Sequence, residues 1–264
     1  MADITENIDN KNQTEYSFWD HLEVLRWSIM RILIALGIGF LIAFFLMPSI
    51  FDKVILAPSK QDFFLYRWLA SIGGAGIFSG DNFSTDIINI NVASQFMTHI
   101  STSLWVGLML VFPYLIWEVW RFISPALYIN EKRSTSRAFI AGTLMFYLGA
   151  IVGYCVIFPF TFRFLTEYQL SEVITNQINL ASYMNNFVII ILTMGVTFEI
   201  PILAWLLSKA GLISKAFLKQ YRRHAIVLLL ILAAVITPTG DPFTLAVVFL
   251  PLYLLYEISI KIVH

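Results

Sequence analysis

Charged residues and cysteine are scarce in this chain of 264 residues. Asp, Glu, Lys and Arg together make 13% of it, the formal net charge is zero, and the one cysteine is Cys155. A single cysteine excludes a disulfide within the chain, and a neutral total gives no electrostatic indication of nucleic-acid binding. A soluble globular domain carries about 25% charged residues. The scarcity of charge therefore argues against a water-soluble fold.

Motifs of catalysis and nucleotide binding are also missing from the sequence. It contains no His-Glu-x-x-His zinc motif, no Gly-x-Ser-x-Gly nucleophile motif and no phosphate-binding loop. His99 and His224 have no second ligand at metal-binding spacing. We therefore expect no enzymatic activity, no metal and no cofactor. An intramembrane hydrolase or a nucleotide-driven pump finds no support.

The chain is rich in long hydrophobic runs. Hydrophobic residues make 58% of it, and the mean hydropathy is +0.76. Because the runs lack the alternation of strands, they predict an all-α integral membrane protein. Six transmembrane segments are predicted, at Trp27–Met47, Phe96–Trp117, Ala138–Phe160, Tyr183–Leu207, Ala225–Ile236 and Phe243–Ile260. The fifth would span roughly 18 Å of a bilayer core of about 30 Å, and the sixth is also short.

Lys and Arg are distributed unevenly between the loops. With the N-terminus inside, thirteen of the seventeen fall in cytoplasmic segments and four in exterior ones. Cytoplasmic loops carry such an excess, so both termini are predicted to be cytoplasmic. Residues 1–264 would form one membrane domain, with a cytoplasmic N-terminal segment at 1–26 and a long exterior loop at 48–95. In that loop, Phe63–Leu69 is a candidate interfacial helix.

Glu199 is the most informative charged residue, because it lies inside the fourth apolar run. A carboxylate at the centre of a membrane helix costs about 2.5–3.5 kcal/mol on insertion scales. If the run is one helix, all neighbours three and four positions away are apolar, namely Gly195, Val196, Ile202 and Leu203. The partner of Glu199 is then on another segment or is water, or the carboxyl is protonated. Glu199 is therefore either part of a functional site or a neutral carboxyl with a structural role.

Glu131 follows an aromatic stretch after the second segment. Pro125 is predicted to end or bend the helix, and the loop then places the apolar side chain of Phe122 beside a carboxylate. A carboxylate binds a guanidinium through two parallel hydrogen bonds. On these residues alone, a solvated pair with Lys132 or Arg133 is the simpler interpretation, and recognition of a ligand's arginine is the alternative.

Two further acidic regions flank the apolar segments. The stretch Phe18–Trp27 is amphipathic at helical spacing, with Asp20 and Glu23 beside its apolar face. Such a segment lies in the membrane interface or binds a partner, and the residues favour neither. Asp241, before the sixth segment, is predicted to form a turn beside Pro242, or to meet a cargo or a proton on the far side.

Motif residues recur in a fixed order over nearly the whole chain. They are His21-Leu22-x-x-Leu25-Arg26, Val119-Trp120-x-Phe122-x-x-Pro125-x-Leu127-Tyr128-x-x-Glu131, Phe146-Tyr147-x-Gly149 with Tyr154 and Phe158-Pro159, Ala181-Ser182-Tyr183, Gly195-Val196-x-Phe198-Glu199-x-Pro201, Thr237-Pro238 with Asp241, and Pro251 with Glu257. Each motif is weak alone, but their order on six segments is specific. The sequence resembles the TatC family, the membrane receptor of the twin-arginine protein translocation system.

The resemblance implies a function. TatC proteins bind signal peptides with paired arginines on the cytoplasmic face, and they recruit single-helix partners of the TatA type, often with a related TatB and with further TatC copies. Folded proteins then cross the bacterial inner membrane, driven by the proton-motive force. The helices of the family form a concave, glove-like wall in the lipid bilayer, and no nucleic acid takes part.

The resemblance also implies roles for particular residues. The arginine-recognising carboxylate of the family falls on Glu131, with Phe122 beside it and with assistance from Glu23 and Arg26. The polar group of the fourth helix falls on Glu199, and Asp241 is a second candidate for contact with a partner. Structural roles are expected for Pro113, Pro125, Tyr154, Pro159 and Pro201.

Departures from the family pattern leave alternatives open. Val24 takes the position of a usual Glu, and the acid is Glu23, about 100° away on a helix. Either Glu23 substitutes by turning the segment, or Glu131 works with less help. The turn before Asp241 also differs from the family's. Beside a translocase receptor, the residues allow a proton-coupled transporter of a small solute that uses Glu199, or a purely structural scaffold.

Overall fold

Helices make up nearly all the regular structure. The computed structural model describes residues 2–60, 62–71, 87–123, 132–168, 170–171, 176–237 and 240–263. The helices are α1 (Ala2–Ile50), α2 (Phe64–Ser71), α3 (Ser94–Ile123), α4 (Lys132–Val152), α5 (Phe158–Glu167), α6 (Leu180–Thr197), α7 (Ile200–Lys209), α8 (Lys215–Gln220), α9 (Arg222–Ile236) and α10 (Pro242–Ile262). Two short parallel strands, β1 (Ile87–Ile88) and β2 (Ile178–Asn179), pair Ile87 with Ile178 and Ile88 with Asn179. The architecture is all-α, as the sequence predicts.

Five helical stretches in the described part of the chain are long and apolar enough to cross a membrane. They are Leu22–Trp68, Ser94–Phe122, Phe139–Glu167, Leu180–Lys209 and Pro242–Ile262. The fifth predicted segment forms α9, whose 15 residues would be about 22 Å long at 1.5 Å per residue. Each predicted segment therefore falls on helix. Six crossings with both termini inside stay a prediction.

α1 continues past its predicted end although Pro48 lies inside it. Proline lacks the N–H that would bond to the carbonyl of Phe44, four residues earlier. His99 of α3 supplies a donor instead, because its Nε2 lies 3.0 Å from that carbonyl oxygen and its ring stacks on Phe44. A carbonyl only accepts, so this contact requires the proton on Nε2. The contact ties the ends of α1 and α3 together.

Pro113, predicted to be structural, repeats this arrangement inside α3. The carbonyl freed by the proline belongs to Met109, and the hydroxyl of Tyr147 on α4 donates to it at 3.0 Å. In an apolar surrounding an unsatisfied carbonyl is costly, so a donor from the next helix stabilises the interrupted one. Pro113 and Tyr147 therefore form a structural unit that links α3 to α4.

A π-helical turn, Phe51–Ile55, carries α1 into the predicted exterior loop. Tyr154, another residue predicted to be structural, donates its hydroxyl to the carbonyl of Val54 at 2.8 Å. The hydroxyl of Tyr183 donates to the carbonyl of Ile55. A π-helical turn changes the regular backbone pairing, and these tyrosines meet carbonyls there. The first part of the loop is thus fixed to the helices that follow.

α1 and α3 pack in close contact at a pair of glycines. A Cβ placed on Gly107 would lie 2.8 Å from the carbonyl carbon of Gly39 and 2.7 Å from the backbone nitrogen of Phe40. No side chain fits there, so only glycine allows the two backbones to approach so closely. The contact fixes which face of α1 meets α3.

An aromatic cluster fills the space between α5 and α6. The rings of Phe158 and Tyr183 meet edge to face with centroids 5.4 Å apart, as do those of Phe158 and Phe187 at 5.0 Å. Such edge-to-face pairs are favourable arrangements of aromatic rings. Pro159 lies in the first turn of α5, where its missing N–H costs little.

Candidate functional site

The helix of the fourth apolar run is interrupted at Glu199. α6 ends at Thr197, and α7 begins at Ile200. Phe198 and Glu199 form a turn between them. Pro201 explains the break, because it lacks the N–H that would bond to the carbonyl of Thr197. The predicted segment Tyr183–Leu207 thus falls on two helices, α6 and α7, with a turn between them.

The Glu199 carboxylate lies against α4. A Cβ placed on Gly142 would be 3.2 Å from Oε2, so the glycine leaves the space that the carboxylate occupies. Ile116 of α3 borders the same space. Oε1 is buried without a hydrogen-bond partner among the described residues, and so is Oγ1 of Thr143, next to Gly142. The described part of the chain therefore gives Glu199 packing contacts and leaves Oε1 without a hydrogen-bond partner among the described residues.

A second buried carboxylate, Glu118 near the end of α3, was missed by sequence reasoning. Its side chain is 2% exposed, and Arg31 of α1 binds both of its oxygens. Nε of Arg31 donates to Oε1 at 2.8 Å, and Nη2 donates to Oε2 at 3.0 Å. Tyr114 donates its hydroxyl to Oε1 at 3.0 Å, and Arg31 also donates to Oγ of Ser28 at 3.1 Å. The two-point geometry is the strong form of a carboxylate–guanidinium contact.

Two signals in the sequence point to this pair. Arg31 is the single charged residue of the predicted segment Trp27–Met47, and Glu118 directly follows the predicted end of the next segment at Trp117. Ionisable residues inside membrane segments commonly pair with one another. Opposite charges at matching depth of two adjacent segments therefore indicate an ion pair.

Three of the residues predicted to bind a signal peptide, Glu23, Arg26 and Phe122, lie on the two helices that this pair joins. Glu23 and Arg26 of α1 are exposed, with their charged atoms 3.9 Å apart. The Arg26 guanidinium also lies over the ring of Trp27 at 5.9 Å. Phe122 is partly buried and follows Glu118 by one helical turn. The structure thus brings the middle of α1, around Arg31, to the end of α3.

Two of the predicted site residues, Glu131 and Pro125, lie outside the described residues. The roles of Glu131, Phe122, Glu23 and Arg26 in signal-peptide binding, and of Pro125 in ending the helix, stay predictions. Among the described residues, no group of three or more His, Cys, Asp or Glu side chains is placed to hold a metal ion.

Asp241 lies at the start of α10. Its Oδ1 accepts a hydrogen bond from the backbone N–H of Thr244 at 2.7 Å, which is the geometry of a helix N-cap. At the other end of the same helix, Glu257 accepts from Arg222 of α9 and from Tyr253, both at 2.9 Å. The carboxylates of this last pair of helices therefore have local structural partners.

A groove of about 640 Å³ lies between α3 and α6. Its lining mixes apolar side chains such as Trp105 and Val188 with polar ones such as Ser101, Thr102 and Asn185. Such a surface fits a chain that is mainly apolar and carries some polar groups.

Comparison with known proteins gives a family for the whole chain. Residues 20–251 match the model of the family described as Sec-independent protein translocase protein (TatC). The Sec-independent protein translocase protein TatC of Blattabacterium sp. subsp. Periplaneta americana (strain BPLAN) is 37% identical over 258 residues, which cover 96% of this chain and 97% of that protein. The TatC protein of Deinococcus radiodurans is 32% identical over 242 residues, which cover 92% and 83%.

Solved structures show the same fold. A crystal structure of the twin arginine translocase receptor TatC matches with a TM-score of 0.73 at 30% identity, over 92% of this chain and 97% of that one. A second, in DDM, matches with a TM-score of 0.76 at 28% identity, over 92% and 99%. These likenesses confirm the predicted all-α membrane fold. The chain therefore belongs to the TatC family, and it is a multi-pass membrane component of a Sec-independent, twin-arginine protein translocase.

Proposed function

We propose that this chain is the signal-peptide receptor of a twin-arginine translocase. It binds twin-arginine signal peptides of folded proteins and, with TatA-type and TatB-type partners and further copies of itself, supports export driven by the proton-motive force. The observation that carries the proposal is the likeness, over 92% of the chain, to solved structures described as twin arginine translocase receptors.

The proposed location is the bacterial inner membrane, with both termini in the cytoplasm. The excess of Lys and Arg in the corresponding loops supports this orientation. In this orientation, Arg31 of α1 and Glu118 near the end of α3 lie toward the cytoplasmic side. The signal peptide then arrives at the face where Glu23, Arg26 and Phe122 lie.

Glu131 is the proposed primary arginine-binding residue. A carboxylate and a guanidinium form two parallel hydrogen bonds, and the chain contains this geometry between Arg31 and Glu118. Glu23 would take the second arginine. It is exposed, and its contact with Arg26 at 3.9 Å is too long for a hydrogen bond, so Arg26 holds it only loosely.

Phe122 and the groove between α3 and α6 would receive the apolar part of the peptide. Glu199, with Oε1 buried and without a partner among the described residues, would meet a polar group of an inserting peptide or of a TatA-type helix. Such a contact would offset the cost of a carboxylate within the membrane. Asp241 is a second candidate contact on the far side, beside its role as a cap.

The test is photo-crosslinking from position 122 to a signal peptide bearing Arg-Arg or Lys-Lys. In Glu131→Ala and Glu131→Arg we expect the Arg-Arg crosslink to fall at least about tenfold, since one charged hydrogen bond is worth about 1.5–3 kcal/mol. The neighbouring variant Asn130→Ala is the control and should crosslink normally. Normal crosslinking in Glu131→Ala rejects the proposed role of Glu131.

The alternative, a proton-coupled transporter of a small solute, is not favoured. Its motivating observation is the carboxylate of Glu199 within the membrane, which contact with a partner helix explains equally well. The relatives are protein translocase proteins. Solute uptake by the purified chain alone in liposomes, lost in Glu199→Gln, would favour the transporter.

A further inference from the structure

The ion pair of Arg31 and Glu118 lies beside the proposed peptide-binding face without being open to it. Glu118 is 2% exposed, while the side chain of Arg31 is 34% exposed. Both carboxylate oxygens already accept hydrogen bonds, from Arg31 and from Tyr114. A peptide arginine would have to displace Arg31 to reach this carboxylate. The closed geometry therefore favours a role that acts through the helices over direct contact with the peptide.

The pair controls the placement of α1 on α3. The glycine contact between Gly39 and Gly107 fixes the middle of the two helices, and the contact of His99 with the Phe44 carbonyl fixes their far end. On the other side of the glycine contact, toward Glu23, the two-point bond from Arg31 to Glu118 ties α1 to α3. A helix held at its middle and one end can still turn and splay at the other.

Glu23 depends on that placement for its direction. It precedes Arg31 by eight residues, which puts it about 80° around the helix from Arg31, whereas Val24, seven residues before, is only about 20° away. With Arg31 bound to Glu118, the part of α1 around Glu23 cannot turn by the roughly 100° that would bring Glu23 into the direction of Val24. The pair therefore fixes the side of α1 on which the carboxylate of Glu23 lies.

We propose that Arg31 and Glu118 are positioning residues for signal-peptide binding. Their bond holds the rotation of α1 against α3 and so sets the place of Glu23 relative to Phe122 when a twin-arginine peptide binds. This inference rests on the proposed receptor function. It predicts that loss of the bond changes where the peptide lies along α1 more than whether it reaches α3.

The experiment uses the full chain in membrane vesicles with a photo-crosslinking residue at one of two exposed positions, Val24 on α1 or Val119 on α3. The probe is a signal peptide with Arg-Arg. In Glu118→Gln and in Arg31→Gln we expect the Val24 crosslink to fall about fivefold to tenfold while the Val119 crosslink changes less than about twofold. The charge swap, Arg31→Glu with Glu118→Arg, should restore most of the Val24 crosslink.

Several outcomes would overturn the proposal. If the variants lose the Val24 and the Val119 crosslink equally, the ion pair acts on the stability of the protein alone. If the Val24 crosslink falls in Glu118→Gln but not in Arg31→Gln, Glu118 contacts the peptide directly. Unchanged crosslinks at both positions would mean that the pair has no part in binding.

An additional variant and a second peptide keep the experiment decisive. Tyr114→Phe removes one hydrogen bond to Glu118 and leaves both charges, so it tests the same idea with less risk to folding, and it should lower the Val24 crosslink by about twofold. A normal Val24 crosslink in folded Tyr114→Phe, together with unfolded Glu118→Gln, would assign the pair to stability. The unmodified chain with the Arg-Arg and the Lys-Lys peptide separates the two proposals, because equal crosslinks to both peptides reject the receptor function itself, whatever the ion pair does.

Discussion

Glu118 and Glu199 are both carboxylates within apolar helical stretches, yet their surroundings differ. Glu118 is bound at both oxygens by Arg31 and receives a further hydrogen bond from Tyr114. Glu199 lies in the space left by Gly142, and its Oε1 has no partner among the described residues. Within the described part of the chain, one carboxylate has partners at both oxygens, and the other has one oxygen without a partner.

The difference separates a structural role from an external one. A buried charge that has a matched counter-charge fixes the elements it joins, and removal of one partner is strongly destabilising. A carboxylate without a partner gains nothing from the fold and is expected to contribute through something outside it. Glu118 thus supports the geometry of the proposed receptor site, and Glu199 is the position expected to meet a partner.

The same substitution at both positions tests this comparison, and the largest effect is expected at Glu118. In Glu118→Gln, Arg31 loses its counter-charge, and we expect the unfolding temperature to fall on the order of 5–10 °C. The measurement is thermal unfolding of the purified chain in detergent. The double variant Arg31→Gln with Glu118→Gln should recover most of the loss, because no charge is then left unmatched. An unchanged unfolding temperature in Glu118→Gln would contradict the structural role.

Glu199→Gln should leave stability nearly unchanged and reduce function. A neutral amide of the same size fits the space beside Gly142, so we expect a change in the free energy of unfolding within about 0.5 kcal/mol. Transport of a twin-arginine cargo should fall about fivefold or more, since a charged hydrogen bond to a partner is lost. If Glu199→Gln markedly lowered stability but left transport normal, Glu199 would have the structural role, contrary to the comparison with Glu118.

Glu23→Gln is expected to have the smallest effect on stability. Exposed ion pairs contribute little, so the free energy of unfolding should change by less than about 0.5 kcal/mol. Binding of an Arg-Arg peptide should nevertheless weaken about threefold to tenfold if Glu23 takes the second arginine. Peptide titration measures this effect, and Glu23→Asp, which keeps the charge, is the control. Unchanged binding would leave Glu131 as the sole carboxylate of the proposed site.

The sequence predicted the helices well because their signals are local. Each apolar run is long enough to be helical by itself, and the described structure has helix at every predicted segment. Pro48, Pro113 and Pro201 mark where the backbone lacks a donor. The helices continue through Pro48 and Pro113, whereas the helix is interrupted just before Pro201. Local signals could not predict this difference, because the carbonyls freed by Pro48 and Pro113 receive donors from other helices, His99 and Tyr147.

The candidate site was predicted in part. Phe122, Glu131 and Glu199 stood out as motif residues, and the family to which the chain belongs is confirmed. Glu118 and Arg31 were overlooked, because each alone resembles an ordinary charge near the end of a membrane segment. Their significance comes from contact between residues that are 87 positions apart.

The sequence by itself determined that the chain is a helical membrane protein, where its helices run and which few charges lie within them. Hydrophobic length and backbone chemistry are properties of each segment, so they can be read without neighbours. Only the tertiary structure decided which buried charge is matched, which freed carbonyl is satisfied and which oxygen of Glu199 is left without a described partner. Those outcomes depend on how the faces of separate helices meet, which is set by packing across the whole molecule.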